Sequence, residues 1–337
     1  MTEIERLLSA HAAVTTGTSV LATLAGVDGS AYRGIGARLL VLPDNRAIGA
    51  ISGGCLEKDI LAHAERIRAA GRPDVVAYDL RRDDQAVWGL NMGCNARLEV
   101  LLEPVPAPAR PEALAAAEGA QRRREPAVLG VACERGGYEL GSWLLLTAAG
   151  TLTGPLSRQL RPPHDAATLL REERTARIAG VLLQYLAPPV QVLACGDGPD
   201  IEPLLRLAGE LGWQARQVPR DAPVGPVDAR TAVVLLSHNY SRDLALLGEL
   251  LPSSAAYVGL LGPSARAARL LDELRSRGTA FTPAQLSRLH APVGLDIGAD
   301  TPVEIALAIL AEIRAAFGGR AGGRLRERGS PIHDRAG

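Results

Sequence analysis

Two cysteines in this chain stand where a sulfur could do chemistry. Cys55 follows Gly53 and Gly54 in SGGCLE, directly ahead of an amphipathic run, and Cys94 stands in MGCNA, directly ahead of an apolar run. A helix N-terminus offers free N–H groups and the positive end of the dipole, and both favour a thiolate over a thiol. Glycines beside such a sulfur let a ligand approach the backbone closely. A soft thiolate there suits a soft metal, a persulfide or a covalent intermediate; on residue types alone, a structural thiol is an equal alternative. Cys133, inside AVLGVACE, has the apolar neighbours of a packed thiol. With Cys195 these make four cysteines, which form neither a C-x-x-C pair nor a zinc-finger spacing. In a reducing compartment all four are expected to be thiols.

A second group lies in VQVLACGDGPDIEPLL. Gly196 and Gly198 make a tight turn between a strand and a helix, an arrangement that suits a phosphate at the helix N-terminus. As a dinucleotide fingerprint it is incomplete. Ile201 stands where a third glycine would fall, and Pro219-Arg220-Asp221 where an acidic residue would end the second strand. Ser237-His238-Asn239 ends the next strand, at the edge where doubly wound folds hold ligands; His238 is a candidate base, a candidate ligand contact, or a helix cap. Gly259, Gly262 and Pro263 occupy the equivalent edge one unit later. No Ser/His/Asp order specifies a hydrolase.

The elements that must position these groups follow from periodicity. Residues 3–14 read as a helix, 19–27 as a strand, and DGSAYRGIG as a glycine-rich loop. ARLLVLP and RAIGAIS read as paired strands around Pro43-Asp44-Asn45. A helix follows from the Gly53-Gly54 pair to about Ala70, with Ile60, Ala64 and Ile67 on its buried face. Strands at 74–80 and 97–105 bracket the Cys94 loop. A Pro/Ala connector and helix cover 106–126, a meander runs to Gly150, and Leu156 to about Arg174 reads as polar and irregular, a candidate mobile loop.

From 187 the pattern changes to strand–turn–helix repeats, which imply a parallel, doubly wound sheet. Ser264 is the expected cap of one helix. Thr301, Pro302 and Glu304 form a capping box for another. The fold class is therefore α/β: an N-terminal mixed α/β domain over 1–186, a C-terminal Rossmann-like domain over 187–320, and a tail over 321–337.

Composition removes several functions. The 337 residues carry zero formal net charge, 47% hydrophobic and only 3% aromatic residues, which argues against a general nucleic-acid binder. Lys58 is the only lysine, as expected of a GC-rich genome. The start MTEIERLLSAHAAV is too charged for a signal peptide and no apolar run reaches spanning length, so a cytoplasmic protein without a membrane span is expected.

Taken together, these stretches resemble the XdhC/CoxI family of accessory proteins for xanthine dehydrogenase and carbon monoxide dehydrogenase. The resemblance rests on GARLLVLPDNRAIGAISGGCLEKDI, GLNMGCNARLEVLLEPV, GDGPDIEPLLRLAGELGW, LLSHNYSRDLALLGELL, YVGLLGPSARAARLLDEL, LHAPVGLDIGADTPVEIALAILAEI and SPIH, in that order over nearly the whole chain. It departs at Pro219-Arg220-Asp221, where the family commonly has an Asp-x-Arg-like stretch, and at Ala96, where many members have Gly.

The resemblance implies a molybdenum cofactor chaperone, more a maturation factor than an enzyme. Such a protein holds the cofactor, as molybdopterin or a dinucleotide form, while a cysteine desulfurase supplies sulfur. It then delivers the cofactor to a molybdenum hydroxylase apoenzyme. Gly53, Gly54, Cys55, Glu57, Cys94 and Asn95 would meet the metal end, with Cys55 and Cys94 as hypothetical molybdenum contacts. Gly196, Gly198, Asp200, His238 and Asn239 would hold the phosphate or nucleotide end, with the site between the domains or on the N-terminal loops. A homodimer would suit the shielding of an oxygen-labile ligand. Two alternatives are an NAD(P)-dependent oxidoreductase working through the C-terminal domain, and a sulfurtransferase carrying a persulfide on Cys55.

Overall fold

The computed structural model describes residues 1–54, 56–80, 95–159, 164–327 and 329, with Asn95 described through its backbone alone. Cys55 and Cys94 lie outside the described residues. The chain divides into two compact units, one built from residue 3 to Pro188 and the other from Pro189 onward together with Met1 and Thr2.

The first unit contains α1 (Glu3–Ala12), β1 (Thr18–Ser30), β2 (Arg38–Val41), β3 (Ala47–Gly49), α2 (Glu57–Ala70), β4 (Asp74–Asp79), β5 (Asn95–Pro106), α3 (Glu112–Arg122), β6 (Ala127–Ala132), β7 (Trp143–Thr147), β8 (Leu152–Thr153), α4 (His164–Glu172), β9 (Ala176–Ile178) and β10 (Val181–Leu186). They form two antiparallel sheets, ordered β3-β2-β1-β5-β4 and β8-β7-β6-β10-β9. Alternation along the strands explains the layering. Val20, Leu24, Leu39, Val100 and Leu102 pack against Ile60, Ala64 and Ile67 of α2. The opposite face, with Leu21, Leu40 and Leu101, packs with Leu129, Leu145 and Leu182 of the second sheet. Val128, Leu144 and Leu183 on that sheet's outer face meet Ala166 and Leu169 of α4. The order of layers is helix, sheet, sheet, helix, with Leu7 of α1 and Leu114 of α3 joining the core shared by the two inner faces, and each buried Leu or Val stabilises it by roughly 1.5–3 kcal/mol.

Two expectations need correction here. The first strand runs on to Ser30, because Asp28, Gly29 and Ser30 pair with Arg97, Ala96 and Asn95 instead of looping out. The stretch from Leu156 to Arg174 is not irregular throughout. Pro155–Arg158 forms a 3₁₀ turn and His164–Glu172 a helix, with Leu156, Ala166 and Leu169 buried. The helix is only 9 residues long and more than half polar, so its apolar positions are easily lost in the polar stretch around it.

The second unit contains β11 (Gln191–Cys195), α5 (Ile201–Glu210), β12 (Gln214–Val218), β13 (Thr231–Leu235), α6 (Tyr240–Leu250), β14 (Tyr257–Leu260), α7 (Ser264–Ser276), α8 (Pro283–Leu286), β15 (Leu289–His290) and α9 (Pro302–Phe317). Its sheet is parallel in the order β12-β11-β13-β14-β15. One face is covered by α6 and α7 and the other by α5 and α9, so the Rossmann-like, doubly wound expectation holds. Thr301 accepts from the Glu304 N–H while the Glu304 carboxylate accepts from the Thr301 N–H, as the capping box required. Ser264 does not cap α7: Pro263 takes that position, and no side chain caps the helix. Among the described residues no helix is long and apolar enough to cross a membrane.

Candidate functional site

The loop before α2 is organised by Ser52, which is 5% exposed. Its hydroxyl donates to Glu57 Oε2 at 2.5 Å and accepts from the Gly54 and Leu56 N–H groups at 3.2 Å each. The Ser52 N–H donates to Glu57 Oε1 at 3.1 Å. Burial pushes the Glu57 carboxyl up, but these hydrogen bonds from Ser52 outweigh it and hold the group ionised below its usual range. Glu57 thus clamps the loop from the first turn of α2. Gly53 and Gly54 are exposed, and a Cβ added to either would meet nothing within 4 Å, so the backbone there is open to a large ligand. Leu56, at the N-cap of α2, offers no side-chain acceptor.

The other two thiols are packed. Burial raises Cys195, at the end of β11, to about 12. Cys133, 1% exposed, is also raised by burial, and its Sγ donates to the Gly180 carbonyl at 3.3 Å. Neither is a thiolate at neutral pH, which agrees with the structural reading of Cys133.

In the second unit the chain leaves β11 for β12 on one side and returns to β13 on the other. Its topological switch point therefore lies between the carboxyl ends of β11 and β13. The sequence-selected residues converge there. Gly196, buried and at φ 143°, comes so close to β13 that a Cβ would lie 2.4 Å from the Leu236 carbonyl oxygen. A Cβ on Gly198 would be 3.5 Å from His238 Nε2. His238 is exposed and holds φ 50°, an uncommon left-handed conformation for a side-chain-bearing residue.

Gln217, Asp243 and Arg266, which sequence reasoning did not single out, help to hold this geometry. Gln217 Nε2 donates to the Gly196 carbonyl at 2.7 Å and to Asp197 Oδ1 at 3.3 Å; Arg220 Nε lies 3.8 Å from Asp197 Oδ2. Ser237 Oγ donates to Asp243 Oδ1 at 2.5 Å and accepts from the Asn239 N–H at 3.1 Å. Asp243, 2% exposed, is paired in turn with Arg266 Nη2 at 2.7 Å. These partners are 20 or more positions from the glycines they support, so only the sheet topology reveals them.

The candidate residues differ in what remains free. Asn239 is the cap of α6: its Oδ1 accepts from the Arg242 N–H at 3.0 Å, so the capping role raised for His238 belongs to its neighbour. Asp200 stands at the N-cap of α5, 8% exposed and making no side-chain capping bond. Asn239→Ala should cost about 1 kcal/mol, read as a lower urea midpoint. An unchanged midpoint would remove the cap from the account of this loop. Among the described residues no group of three or more His, Cys, Asp or Glu side chains is placed to hold a metal ion.

The comparisons with known proteins bear on both units. Residues 14–79 match the family described as XdhC and CoxI family, and residues 192–313 match the XdhC Rossmann domain. A Bacillus subtilis (strain 168) protein named as a probable subunit of xanthine dehydrogenase is 28% identical over 332 residues, covering 88% of this chain and 92% of the relative. An Escherichia coli (strain K12) protein named molybdenum cofactor insertion chaperone PaoD is 24% identical over 313 residues, covering 92% of this chain and 85% of the relative. A solved structure, titled as a xanthine dehydrogenase from Bacillus halodurans, superposes with a TM-score of 0.75 at 25% identity and covers 98% of both chains.

Proposed function

Because the chain belongs to the XdhC/CoxI family, we propose that it is an accessory protein of molybdenum hydroxylases. In this role it binds the molybdenum cofactor as cargo in the cytoplasm, keeps it available while a cysteine desulfurase supplies sulfur, and passes it to the apoenzyme. The observation that carries this reading is the likeness, over 92% of the chain, to a relative named as a molybdenum cofactor insertion chaperone.

The local chemistry supports it. Gly53 and Gly54 leave an open backbone beside the uncapped start of α2, where an anionic or metal-bearing end gains from free N–H groups and the dipole. With Cys133 and Cys195 packed as thiols, Cys55 and Cys94 remain the candidate soft contacts for molybdenum. The Gly196–Gly198 turn at the switch point suits the phosphate or nucleotide end.

The nicotinamide alternative has less behind it. Ile201, 4% exposed, is core where the third glycine would be needed. After β12 the turn is braced by Arg220 facing Asp197, and the acidic residue that could reach a ribose, Asp221, stands three positions past the end of the strand, a poor match to the fingerprint.

Anaerobic titration of purified protein with molybdenum cofactor tests the reading, with Cys55→Ala and Cys94→Ala beside wild type. Binding should be tight in wild type and at least tenfold weaker in one variant. Absence of cofactor binding alongside tight NAD(P) binding would overturn the proposal.

A further inference from the structure

The N-terminal unit also carries an open cleft of about 360 Å³ where β1, β5 and β9 meet. Its shape comes from a bulge. The pairing of β1 with β5 shifts register between Leu24 and Gly26, which leaves Ala25 as an extra residue and bends the strand. Arg177 of β9 lies against Gly26: a Cβ there would be 2.9 Å from Arg177 Nη1. That guanidinium donates to Glu99 of β5 and, at 3.2 Å, to Glu134. Arg97, two residues before Glu99 on β5 and half exposed, reaches Glu99 Oε1 only at 3.4 Å. Val27, Ile35 and Ala176 supply apolar walls.

The charges decide what such a cleft can take. Arg97 and Arg177 are opposed by Asp28 and Glu99, so a phosphate entering it would face two carboxylates. A flat, neutral ring with donors and acceptors side by side meets no such penalty. A carboxylate has about four lone-pair sites, and a guanidinium five N–H donors. Glu99 therefore keeps acceptor capacity beyond its arginines, and Arg97 keeps donors beyond its long contact with Glu99, the one it makes among the described residues.

We propose that this cleft binds the 2-amino-4-oxopyrimidine edge of a pterin. Glu99 accepts from the 2-amino and ring N–H groups, Arg97 donates to the ring carbonyl, and the apolar walls cover the ring. Arg177 is a positioning residue that fixes Glu99. The inference rests on the chaperone reading, which supplies the pterin, and it adds a site apart from the residues assigned above to the metal and phosphate ends. Guanine presents the same edge, so a guanine nucleotide is the other source of this chemistry.

Fluorescence titration with 6-hydroxymethylpterin tests the proposal, with lumazine, whose 2-position carries a carbonyl in place of the amino group, as the ligand-side control. Full-length wild type should bind the pterin at least tenfold more tightly than lumazine, because a site built to accept N–H groups rejects an analogue lacking them. Glu99→Gln should abolish that preference, and Glu134→Gln, which also removes a partner of Arg177, should keep it. Guanosine competing as strongly as pterin would assign the cleft to a guanine base; failure to compete would assign it to the cofactor's own ring. Equal binding of pterin and lumazine to wild type overturns the proposal even if Glu99→Gln does not fold. Intact cofactor bound without dependence on Glu99 would leave the chaperone reading standing and this inference refuted. Pterin bound with discrimination but intact cofactor refused would do the reverse.

Discussion

Gly196→Ala is expected to loosen the C-terminal unit by about 3 kcal/mol or more, while Gly198→Ala, two positions on, should cost under about 1 kcal/mol. The difference lies in what each new methyl would meet. At Gly196 the Cβ would fall 2.4 Å from the Leu236 carbonyl oxygen, 2.6 Å from its carbon and 2.9 Å from the Ser237 nitrogen, all backbone atoms. Neither side can retreat easily. The Leu236 N–H donates to the Cys195 carbonyl at 2.8 Å, and the Gly196 N–H to the Val218 carbonyl at 3.1 Å. To this overpacking is added the cost of φ 143° for a residue with a side chain, and each contribution is of order 1–3 kcal/mol. At Gly198 the new methyl would meet the exposed His238 ring at 3.5 Å and the Leu236 carbonyl oxygen at 3.8 Å, both ordinary van der Waals contacts. Hydrogen exchange read by mass spectrometry separates the cases: β11 and β13 should lose protection in Gly196→Ala, with β6 and β10 unchanged. Unaltered protection of β11 would show that the close approach of the two strand ends is not required.

The same glycine marks the boundary of what could be read without coordinates. Parallel strands buried on both faces read as continuous apolar runs, and VQVLAC, TAVVLL and YVGLL do so plainly. Their lateral order does not follow from those runs. That β12 lies outside β11 while β13 lies inside is a property of the whole sheet, and this order makes Gly196 a neighbour of Leu236 and Gly198 a neighbour of His238. The candidate residues were legible as strand-end glycines and polar turns, but their supports were not. Asp243 and Arg266 are separated by 23 positions, and Arg177 and Glu99 by 78. No local period reports such pairings. The α4 helix was hidden for another reason: its buried stripe is little more than Ala166 and Leu169 in a charged segment.

The chain thus combines a rigid frame with a small number of open backbone positions. Burial silences Cys133 and Cys195, and a carboxylate is spent at each loop to hold its shape: Glu57 on Ser52, Asp243 on Ser237. A chaperone must bind a reactive cargo without reacting elsewhere. Thiols kept protonated in the core, with loops fixed by charge-assisted hydrogen bonds, meet that requirement.

Glu103→Gln is expected to stabilise the N-terminal unit at pH 8 by about 2 kcal/mol and to flatten its stability between pH 4.5 and 7. Glu103 follows Leu101 and precedes Val105 on β5, so it shares the face turned toward the second sheet. Its neighbour there is Arg38, 4% exposed, which donates to Gln184 Oε1 at 2.7 Å and to the Gly36 carbonyl at 3.1 Å. Burial raises the Glu103 carboxyl to about 7, and the attraction of Arg38 recovers only part of that rise. The raised value means that the folded state holds this proton more tightly than the unfolded chain. Its contribution to stability is complete below the unfolded value near 4.5, declines as pH rises, and is gone above about 7. A tenfold difference in proton affinity between the two states corresponds to about 1.4 kcal/mol, reduced here because the side chain keeps some exposure. Glutamine stays neutral throughout and escapes the decline. Urea midpoints at pH 5, 6, 7 and 8 for both proteins would show the curves separating between pH 5 and 7 and running parallel above that. A glutamine variant less stable than wild type at pH 8 would mean that the attraction of Arg38 for the carboxylate outweighs the cost of burying it.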